Sequence, residues 1–187
     1  MSKTYKMTIA GCERELPLCA VNDQLDIAAF IMFGDVEITE KAAEALLKIC
    51  PEHDIVVTAE AKGIPLGYEV ARQGCREYLV ARKGVKVYMP DPICVNVRSI
   101  TTLSQQTLYL GRDDADKMKG KRVLIVDDVI STGESLKAIE ELVNKAGGII
   151  VGKAAVLAEG SAADRDDIIF LERLPVFPKN PETFPSI

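Results

Sequence analysis

Two adjacent carboxylates and a turn of hydroxyl residues form the part of the sequence with the clearest chemistry. Asp127 and Asp128 follow the apolar run 123–126, and the turn 131–135 comes shortly afterwards. Four β-formers without polar alternation predict a strand of a parallel sheet, buried on both faces and ending at the acids. Apolar residues then recur at helical spacing from Leu136 onwards, which predicts a helix. Because a helix N-terminus offers unpaired N–H groups and a positive dipole end, this order of elements suits the binding of a phosphate.

The residue types in the turn fit a sugar phosphate. Gly133 lets the backbone approach a ligand closely, and the hydroxyls of Ser131, Thr132 and Ser135 add hydrogen-bond donors. Either Thr132 or Ser135 is predicted to cap the helix. The two acids, at the end of their strand, can accept hydrogen bonds from sugar hydroxyls or hold a divalent cation. Each half of the pattern alone is also ordinary loop chemistry, but the combination indicates a phosphorylated ribose.

The whole string 123–135 resembles the 5-phosphoribosyl-1-pyrophosphate (PRPP) signature of the type I phosphoribosyltransferases. This resemblance implies an α/β fold, a parallel twisted sheet flanked by helices, with a small N-terminal hood at residues 1–38. It also implies that Asp127 and Asp128 are the catalytic acids and contact ribose hydroxyls or Mg²⁺, the expected cofactor. The 5′-phosphate is then expected at Ser131, Thr132, Gly133, Glu134 and Ser135.

A second anion site is predicted one strand and one helix earlier. The segment 60–63 follows the apolar strand 55–58, and a helix with proline in its first turn begins at Ile64. Backbone amides at that helix start can hold an anionic group, and Lys62 can neutralise it. The stretch 56–71 resembles the pyrophosphate loop of the adenine phosphoribosyltransferases, which carry arginine in place of Lys62. The pyrophosphate-binding residues that this resemblance implies are Ala61, Lys62, Gly63, Arg82, Lys83 and Lys86, although a solvated basic cluster is the alternative for the last three.

The resemblance also suggests where a base binds. Phe33-Gly34-Asp35 is similar to the Phe-Arg-Asp tripeptide of the adenine enzymes, with glycine in place of arginine. Phe33 is then expected to stack on a purine, and backbone groups of Met32 and Gly34 to contact its edge. An apolar core segment is the alternative interpretation.

One departure from the adenine enzymes concerns their mobile loop, which carries a glutamate near the reacting base. The matching stretch 96–102 has no acid. Candidates for the role of the missing glutamate are Arg98 and the hydroxyls of Ser99, Thr101 and Thr102. A different base, or impaired catalysis, would also account for the difference.

Three functions therefore remain open at the level of sequence. The first is a purine phosphoribosyltransferase, with adenine and PRPP giving AMP and pyrophosphate in purine salvage. The second is a phosphoribosyltransferase for xanthine or for hypoxanthine and guanine. The third is a non-catalytic PRPP-binding regulator, because the segment 62–67 resembles the effector domain of the Gram-positive purine repressor. The family resemblance further implies a homodimer.

The composition limits the class of protein and the cellular compartment that the sequence allows. The 187 residues fit a single domain spanning 1–187, and 48% hydrophobic residues are typical of a globular protein. The net charge of −5 argues against nucleic-acid binding. No apolar run is long enough to span a membrane, and the N-terminus lacks a signal-peptide core. Five scattered cysteines indicate a reduced, cytoplasmic protein.

The remaining segments are assigned from their apolar spacing and turn residues. We expect a β-hairpin over 4–20, a helix over 40–49 capped by Thr39, strands at 78–81 and 149–157, a mobile excursion with a β-ribbon over 84–121 that ends in a charged turn at 112–120, and an extended tail from Leu174. Residues 25–33 are ambiguous between helix and strand. His53 is expected to be a solvated loop residue.

Overall fold

The computed structural model describes residues 3–98 and 105–179. Its strands are β1 (Thr4–Ile9), β2 (Cys12–Ala20), β3 (Leu25–Ala28), β4 (Ile55–Ala59), β5 (Tyr78–Ala81), β6 (Ile93–Arg98), β7 (Gln105–Leu110), β8 (Arg122–Ile130), β9 (Ile149–Glu159), β10 (Ile169–Leu174) and β11 (Val176–Pro178). Its helices are α1 (Val36–Leu47), α2 (Ile64–Gln73), α3 (Arg112–Met118) and α4 (Glu134–Ala146), with a 3-10 helix at Gly160–Asp164. Within these ranges no helix is both long and apolar enough to cross a membrane.

The central feature is a five-stranded sheet in the order β10-β9-β8-β4-β5, in which every neighbouring pair is parallel. Helices cover both faces. One apolar core lies under α3 and α4, and the other lies under α1, α2 and the N-terminal strands. β4 is buried at all five positions, as a strand with helices on both sides requires. The predicted fold class is confirmed.

The N-terminal hood is an antiparallel sheet in the order β1-β2-β3-β11. The hairpin β1–β2 matches the prediction, and the ambiguous segment 25–33 proves to be a short strand to Ala28 followed by irregular chain. The strand β11 comes from the predicted extended tail and pairs with β3. The rings of Tyr5 and Phe177 meet edge to face at 5.0 Å, so the two ends of the chain pack together in the hood.

The first helix begins earlier than predicted. α1 starts at Val36, because the carboxylate of Asp35 accepts a hydrogen bond from the Ile38 amide at 3.2 Å and caps the helix. The predicted cap, Thr39, was wrong: its hydroxyl instead donates to the carbonyl of Asp35 at 2.8 Å. Arg14 from β2 donates to the same aspartate at 2.6 Å, which links the hood to α1.

The excursion over 84–121 contains the predicted β-ribbon, because β6 and β7 pair as antiparallel strands. The predicted charged turn at 112–120 was wrong. Its apolar residues Ala115 and Met118 are three apart and both buried, so the segment forms the helix α3. The hydroxyls of Ser99, Thr101 and Thr102 and the side chain of Arg98, predicted as substitutes for the loop acid, lie outside the described residues.

Two elements near the C-terminus were missed at the level of sequence. β10 adds a fifth strand beside β9, and the 3-10 helix leads into it. Glu172 and Arg173 are exposed and interrupt the apolar run of β10, since this strand lies at the edge of the sheet. Edge strands lack the continuous apolar pattern from which β4 and β8 were predicted.

Candidate active site

The acid pair lies inside a strand and not at its end. β8 continues to Ile130 because the long strand β9 keeps pairing with it as far as Ala158. The prediction that the strand stops at Asp127 was therefore wrong. The neighbouring strand β4 is shorter. Because Val57 of β4 pairs with Ile125 of β8, the last residue of β4 lies beside the acids. The turn from β4 into α2, residues 60–63, consequently passes over the acid pair.

Contacts between this β4–α2 turn and the acids are short. The ammonium of Lys62 donates to Oδ2 of Asp128 at 2.6 Å, and the backbone N–H of Asp128 donates to Oδ1 of Asp127 at 2.9 Å. A Cβ atom on Gly63 would lie 2.2 Å from Oγ1 of Thr58 and 2.9 Å from Oδ1 of Asp127. Only glycine therefore fits at position 63, with its backbone close against the strand ends.

The basic residues after β5 are joined to the same turn by an acid that the sequence interpretation assigned no role. The carboxylate of Glu60 accepts hydrogen bonds from the backbone N–H of Lys83 at 2.5 Å and from Nη1 of Arg82 at 3.3 Å. Burial acts to raise the pKa of Glu60, but these hydrogen bonds and the charge of Lys86 outweigh it and lower the pKa below its usual value. Arg82, Lys83 and Lys86 are thus near the β4–α2 turn. The peptide bond from Glu60 to Ala61 is cis.

The turn before α4 is open to a ligand. Gly133 precedes the helix in the left-handed conformation, with φ of 79°, and no side chain caps the first turn. The prediction that Thr132 or Ser135 caps the helix was wrong, because the turn is formed by the glycine itself. A helix start without a side-chain cap can direct its first N–H groups at a ligand. A hollow of about 110 Å³ lies over them, lined by Asp127, Val129, Ile130, Ser131, Thr132, Gly133, Glu134, Ser135 and Leu136.

The three predicted base-binding residues form a turn beside α2. The carbonyl of Met32 accepts the N–H of Asp35 at 3.0 Å, with Gly34 in the left-handed conformation between them. The Met32 side chain is buried in the core, so the core interpretation is correct for it. Phe33 is 52% exposed. Met32 and Gly34 line a cleft of about 410 Å³ together with Pro65 of the first turn of α2, next to the β4–α2 turn.

The half-buried position of Asp127, beside the carboxylate of Asp128, leads to a prediction about pH. Burial, and the neighbouring charge of Asp128, raise the pKa of Asp127. The protonated carboxyl is therefore favoured in the folded state, so its stabilising contribution is complete below the unfolded pKa of about 3.9 and is lost as the pH rises through the folded pKa. Without ligand or metal, Asp127→Asn should exceed the wild type in free energy of unfolding at pH 9, by at least about 1 kcal/mol. The two proteins should converge below pH 4.

Urea unfolding in chelator-treated buffer across this pH range measures the difference. Asp54→Asn provides a control of opposite sign, because hydrogen bonds from Arg122 lower the pKa of Asp54 to about 2. That variant should be less stable than the wild type at neutral pH, and the gap should close as the pH falls towards 2. A loss of stability at pH 9 in Asp127→Asn would contradict the assignment.

These features define a class of protein. It is an α/β protein in which two strand-to-helix turns, each leading into a helix N-terminus, lie at the carboxyl ends of parallel strands beside one pair of carboxylates. Such positions at the carboxyl ends of a parallel sheet are where α/β proteins bind ligands. The described geometry therefore suits a ligand with two anionic groups joined by a hydroxyl-bearing unit.

Comparisons with known proteins give the family. A family model described as the phosphoribosyl transferase domain matches residues 33–182. A hypoxanthine/guanine phosphoribosyltransferase of Methanocella paludicola is 38% identical over 57% of this chain and 52% of its own length. An adenine phosphoribosyltransferase of Rhodococcus jostii is 31% identical over 72% of this chain and 74% of its own length. The matched segment thus spans about half of the first relative and about three quarters of the second.

The fold agrees with this result. The crystal structure of an adenine phosphoribosyltransferase from Rhodothermus marinus superimposes with a TM-score of 0.65 over 91% of this chain and 94% of that chain, at 23% identity. The chain belongs to the phosphoribosyltransferase family. The predicted resemblance to type I phosphoribosyltransferases is confirmed.

Proposed function

We propose that the protein transfers the phosphoribosyl group of PRPP to a purine base, with adenine preferred, and releases pyrophosphate. The observation that carries this proposal is the convergence of two strand-to-helix turns on one acid pair, with Lys62 on Asp128, Gly63 against Asp127, and Asp127 also lining the hollow at the turn before α4. Relatives named for adenine and for hypoxanthine and guanine support a purine as the acceptor. The Phe33-Gly34-Asp35 segment, similar to the adenine enzymes, favours adenine.

In this proposal the turn before α4 binds the 5′-phosphate of PRPP. The N–H groups of Gly133, Glu134 and Ser135 and the hydroxyls of Ser131 and Thr132 are its donors. The acid pair accepts hydrogen bonds from the ribose hydroxyls, which requires Asp128 to release Lys62. Binding of PRPP therefore exchanges one charged contact for others at the same acids.

The β4–α2 turn then binds the pyrophosphate. The released ammonium of Lys62 and the backbone amides of Ala61 and Gly63 neutralise the charge that develops as the C1–oxygen bond breaks. Arg82, Lys83 and Lys86, held near by Glu60, add positive potential. The carboxylates of the acid pair are hard oxygen ligands of the kind Mg²⁺ prefers beside substrate phosphates, and the ion would supply further stabilisation of the leaving pyrophosphate.

The base is assigned to the turn formed by Met32, Phe33 and Gly34. The half-exposed ring of Phe33 provides a face for stacking, and the turn at Gly34 provides backbone polar groups for the edge of the base. A purine ring nitrogen directed towards C1 would attack as the pyrophosphate departs. The glycine in place of the family's arginine leaves room at this turn, so bases other than adenine remain alternatives for the test below.

Pyrophosphate release tests the proposal directly. Wild-type protein with PRPP and Mg²⁺ is assayed against adenine, hypoxanthine, guanine, xanthine, uracil and orotate. We expect turnover with adenine, the highest kcat/KM among these bases, and none with the two pyrimidines. Preference for hypoxanthine or guanine would correct the base and keep the purine class. No turnover with any base, combined with measurable PRPP binding, would favour the regulatory alternative and contradict the enzyme proposal.

We also propose a homodimer formed through an exposed tyrosine surface, defined as Val36, Tyr68, Tyr78 and Tyr88. Val36 and Tyr68 line the cleft beside α2, while Tyr78 and Tyr88 line a second cleft of about 400 Å³. The rings of Tyr68 and Tyr78 join the two clefts, with their centres 5.9 Å apart. This strip of exposed tyrosines runs beside β5, an edge strand of the main sheet. A second copy fits it because paired charges of both signs, Glu69 with Arg72 among them, flank the strip.

Sedimentation equilibrium checks the dimer. We expect the wild type to be dimeric at micromolar concentration, and Tyr68→Glu to be monomeric because it introduces an unpaired charge at the centre of the apolar strip. Val21→Glu, at an exposed hood residue outside the tyrosine surface, should remain dimeric. A monomeric wild type, or a dimeric Tyr68→Glu protein, would contradict the proposed interface.

The proposed location is the cytoplasm. All five cysteines are free thiols in the structure. Disulfides form and persist mainly in oxidising compartments, so a chain with five unpaired cysteines suits a reducing one.

A further inference from the structure

Arg165, which follows the 3-10 helix, lies against the turn that begins α4. A Cβ atom on Gly133 would be 2.5 Å from Nη1 of Arg165 and 3.8 Å from its Cζ, and apart from the residues adjacent in the chain no other group of the described residues comes within 4 Å of that position. The guanidinium therefore covers the open side of Gly133. Arg165 and Gly133 come from connections that are distant in sequence and meet only in the folded chain.

A carboxylate holds the guanidinium in this orientation. Asp167 accepts two hydrogen bonds, from Nε of Arg165 at 2.8 Å and from Nη2 at 2.7 Å. Lys153 contacts the same carboxylate at 2.5 Å, and Glu140 of α4 lies 3.4 Å from Lys153. Because the fork of two parallel hydrogen bonds uses Nε and Nη2, the third nitrogen, Nη1, is directed at Gly133.

The charges of the residues that line the hollow before α4 bear on the role of Arg165. Of the described residues that line it, two are acidic, Asp127 and Glu134, and none is lysine or arginine. The nearby ammonium of Lys62 is bound to Asp128. Helix amides alone carry only partial positive charge, so a phosphate dianion bound there would meet no full positive charge among the described lining residues. Arg165, although paired with Asp167, brings one guanidinium nitrogen against the same turn at Gly133.

We propose that Arg165 is a positioning residue that gives the turn before α4 its preference for a dianionic phosphate. Its Nη1 fixes the left-handed turn at Gly133, so that the first amides of α4 face the hollow. Its positive charge adds to the partial charge of the helix amides in attracting a phosphate dianion. This inference rests on the proposed binding of a sugar 5′-phosphate at the turn, and it adds the residue that selects the charge state of the ligand.

Two ligands of the same shape separate the charge role from a role in folding. Ribose 5-phosphate is largely dianionic at pH 8, whereas ribose 5-sulfate carries a single charge. Calorimetric titration of the wild type should give tighter binding of the phosphate. In Arg165→Gln we expect about a tenfold loss of affinity for the phosphate and less than a threefold loss for the sulfate. Arg165→Lys keeps the charge and should retain most of the preference for phosphate.

The matched control is Arg173→Gln, which removes the same charge from β10. Arg173 lies 2.9 Å from Asp164 in an exposed ion pair, so we expect unchanged binding of both ligands. Equal losses for phosphate and sulfate in Arg165→Gln would show that Arg165 only supports the fold, and would overturn the inference. Failure of the wild type to bind ribose 5-phosphate would instead overturn the site assignment itself. If Arg165→Gln does not fold, Arg165→Lys is the deciding variant. Loss of the preference for phosphate over sulfate in Arg165→Lys would then overturn the inference.

Discussion

Gly63→Ala is expected to lower kcat/KM for PRPP by at least about 100-fold. The new Cβ would lie 2.2 Å from Oγ1 of Thr58 and 2.9 Å from Oδ1 of Asp127. Thr58 is fully buried at the end of β4 and cannot move away without disturbing the sheet. The β4–α2 turn must therefore shift, and the amides that bind pyrophosphate and the ammonium of Lys62 shift with it.

The measurements are steady-state kinetics and urea unfolding on the same preparations. Overpacking at this buried position should also lower the free energy of unfolding by about 1–3 kcal/mol. Gly111→Ala is the matched control, because a Cβ on Gly111 meets its nearest neighbours at 3.8 and 3.9 Å, an ordinary contact distance. That variant should keep wild-type kinetics. Gly63→Ala with wild-type affinity for PRPP would contradict the position assigned to the turn.

The second large effect is expected for Asp128→Asn, which should reduce kcat/KM for PRPP by about 100-fold or more. The carboxylate is almost fully buried and accepts the short hydrogen bond from Lys62. An asparagine keeps the volume but loses the charge that binds both the ammonium in the free protein and the ribose hydroxyls in the complex. The affinity for PRPP, measured by calorimetry, should fall together with turnover.

Asp54→Asn makes the same chemical change at the opposite end of the neighbouring strand. Asp54 immediately precedes β4, where its carboxylate accepts hydrogen bonds from the backbone and the side chain of Arg122 at the start of β8. Its loss should lower stability and leave PRPP affinity unchanged. If Asp128→Asn binds PRPP within threefold of the wild type, Asp128 is not a ribose ligand.

The sequence was sufficient for the parts of the fold that rest on continuous apolar runs. β4 and β8 are buried on both faces, and the glycine and proline signals around α2 mark its first and last turns. β10 was missed because exposed Glu172 and Arg173 break its pattern, and α3 was missed because only two apolar residues define its buried face. The N-cap of α1 was misplaced because two candidate residues, Asp35 and Thr39, lie one turn apart.

The candidate site was predictable where its residues follow one another in the chain. The Asp127-Asp128 pair, the turn at Gly133 and the turn at Gly63 were all proposed from local order. Contacts between distant segments were not predicted from the sequence, because no local pattern joins Glu60 to Arg82 or Arg165 to Gly133. These contacts depend on the register of the strands and the path of the connections, which only the folded chain determines.

A crystal structure of the protein grown with PRPP and Mg²⁺ tests the central claim most directly. The account predicts the 5′-phosphate on the amides of the turn 131–135, the ribose hydroxyls at Asp127 and Asp128, and the pyrophosphate at the turn 60–63 with Lys62 turned towards it. Density for the 5′-phosphate at another place, with Lys62 still bound to Asp128, would contradict it.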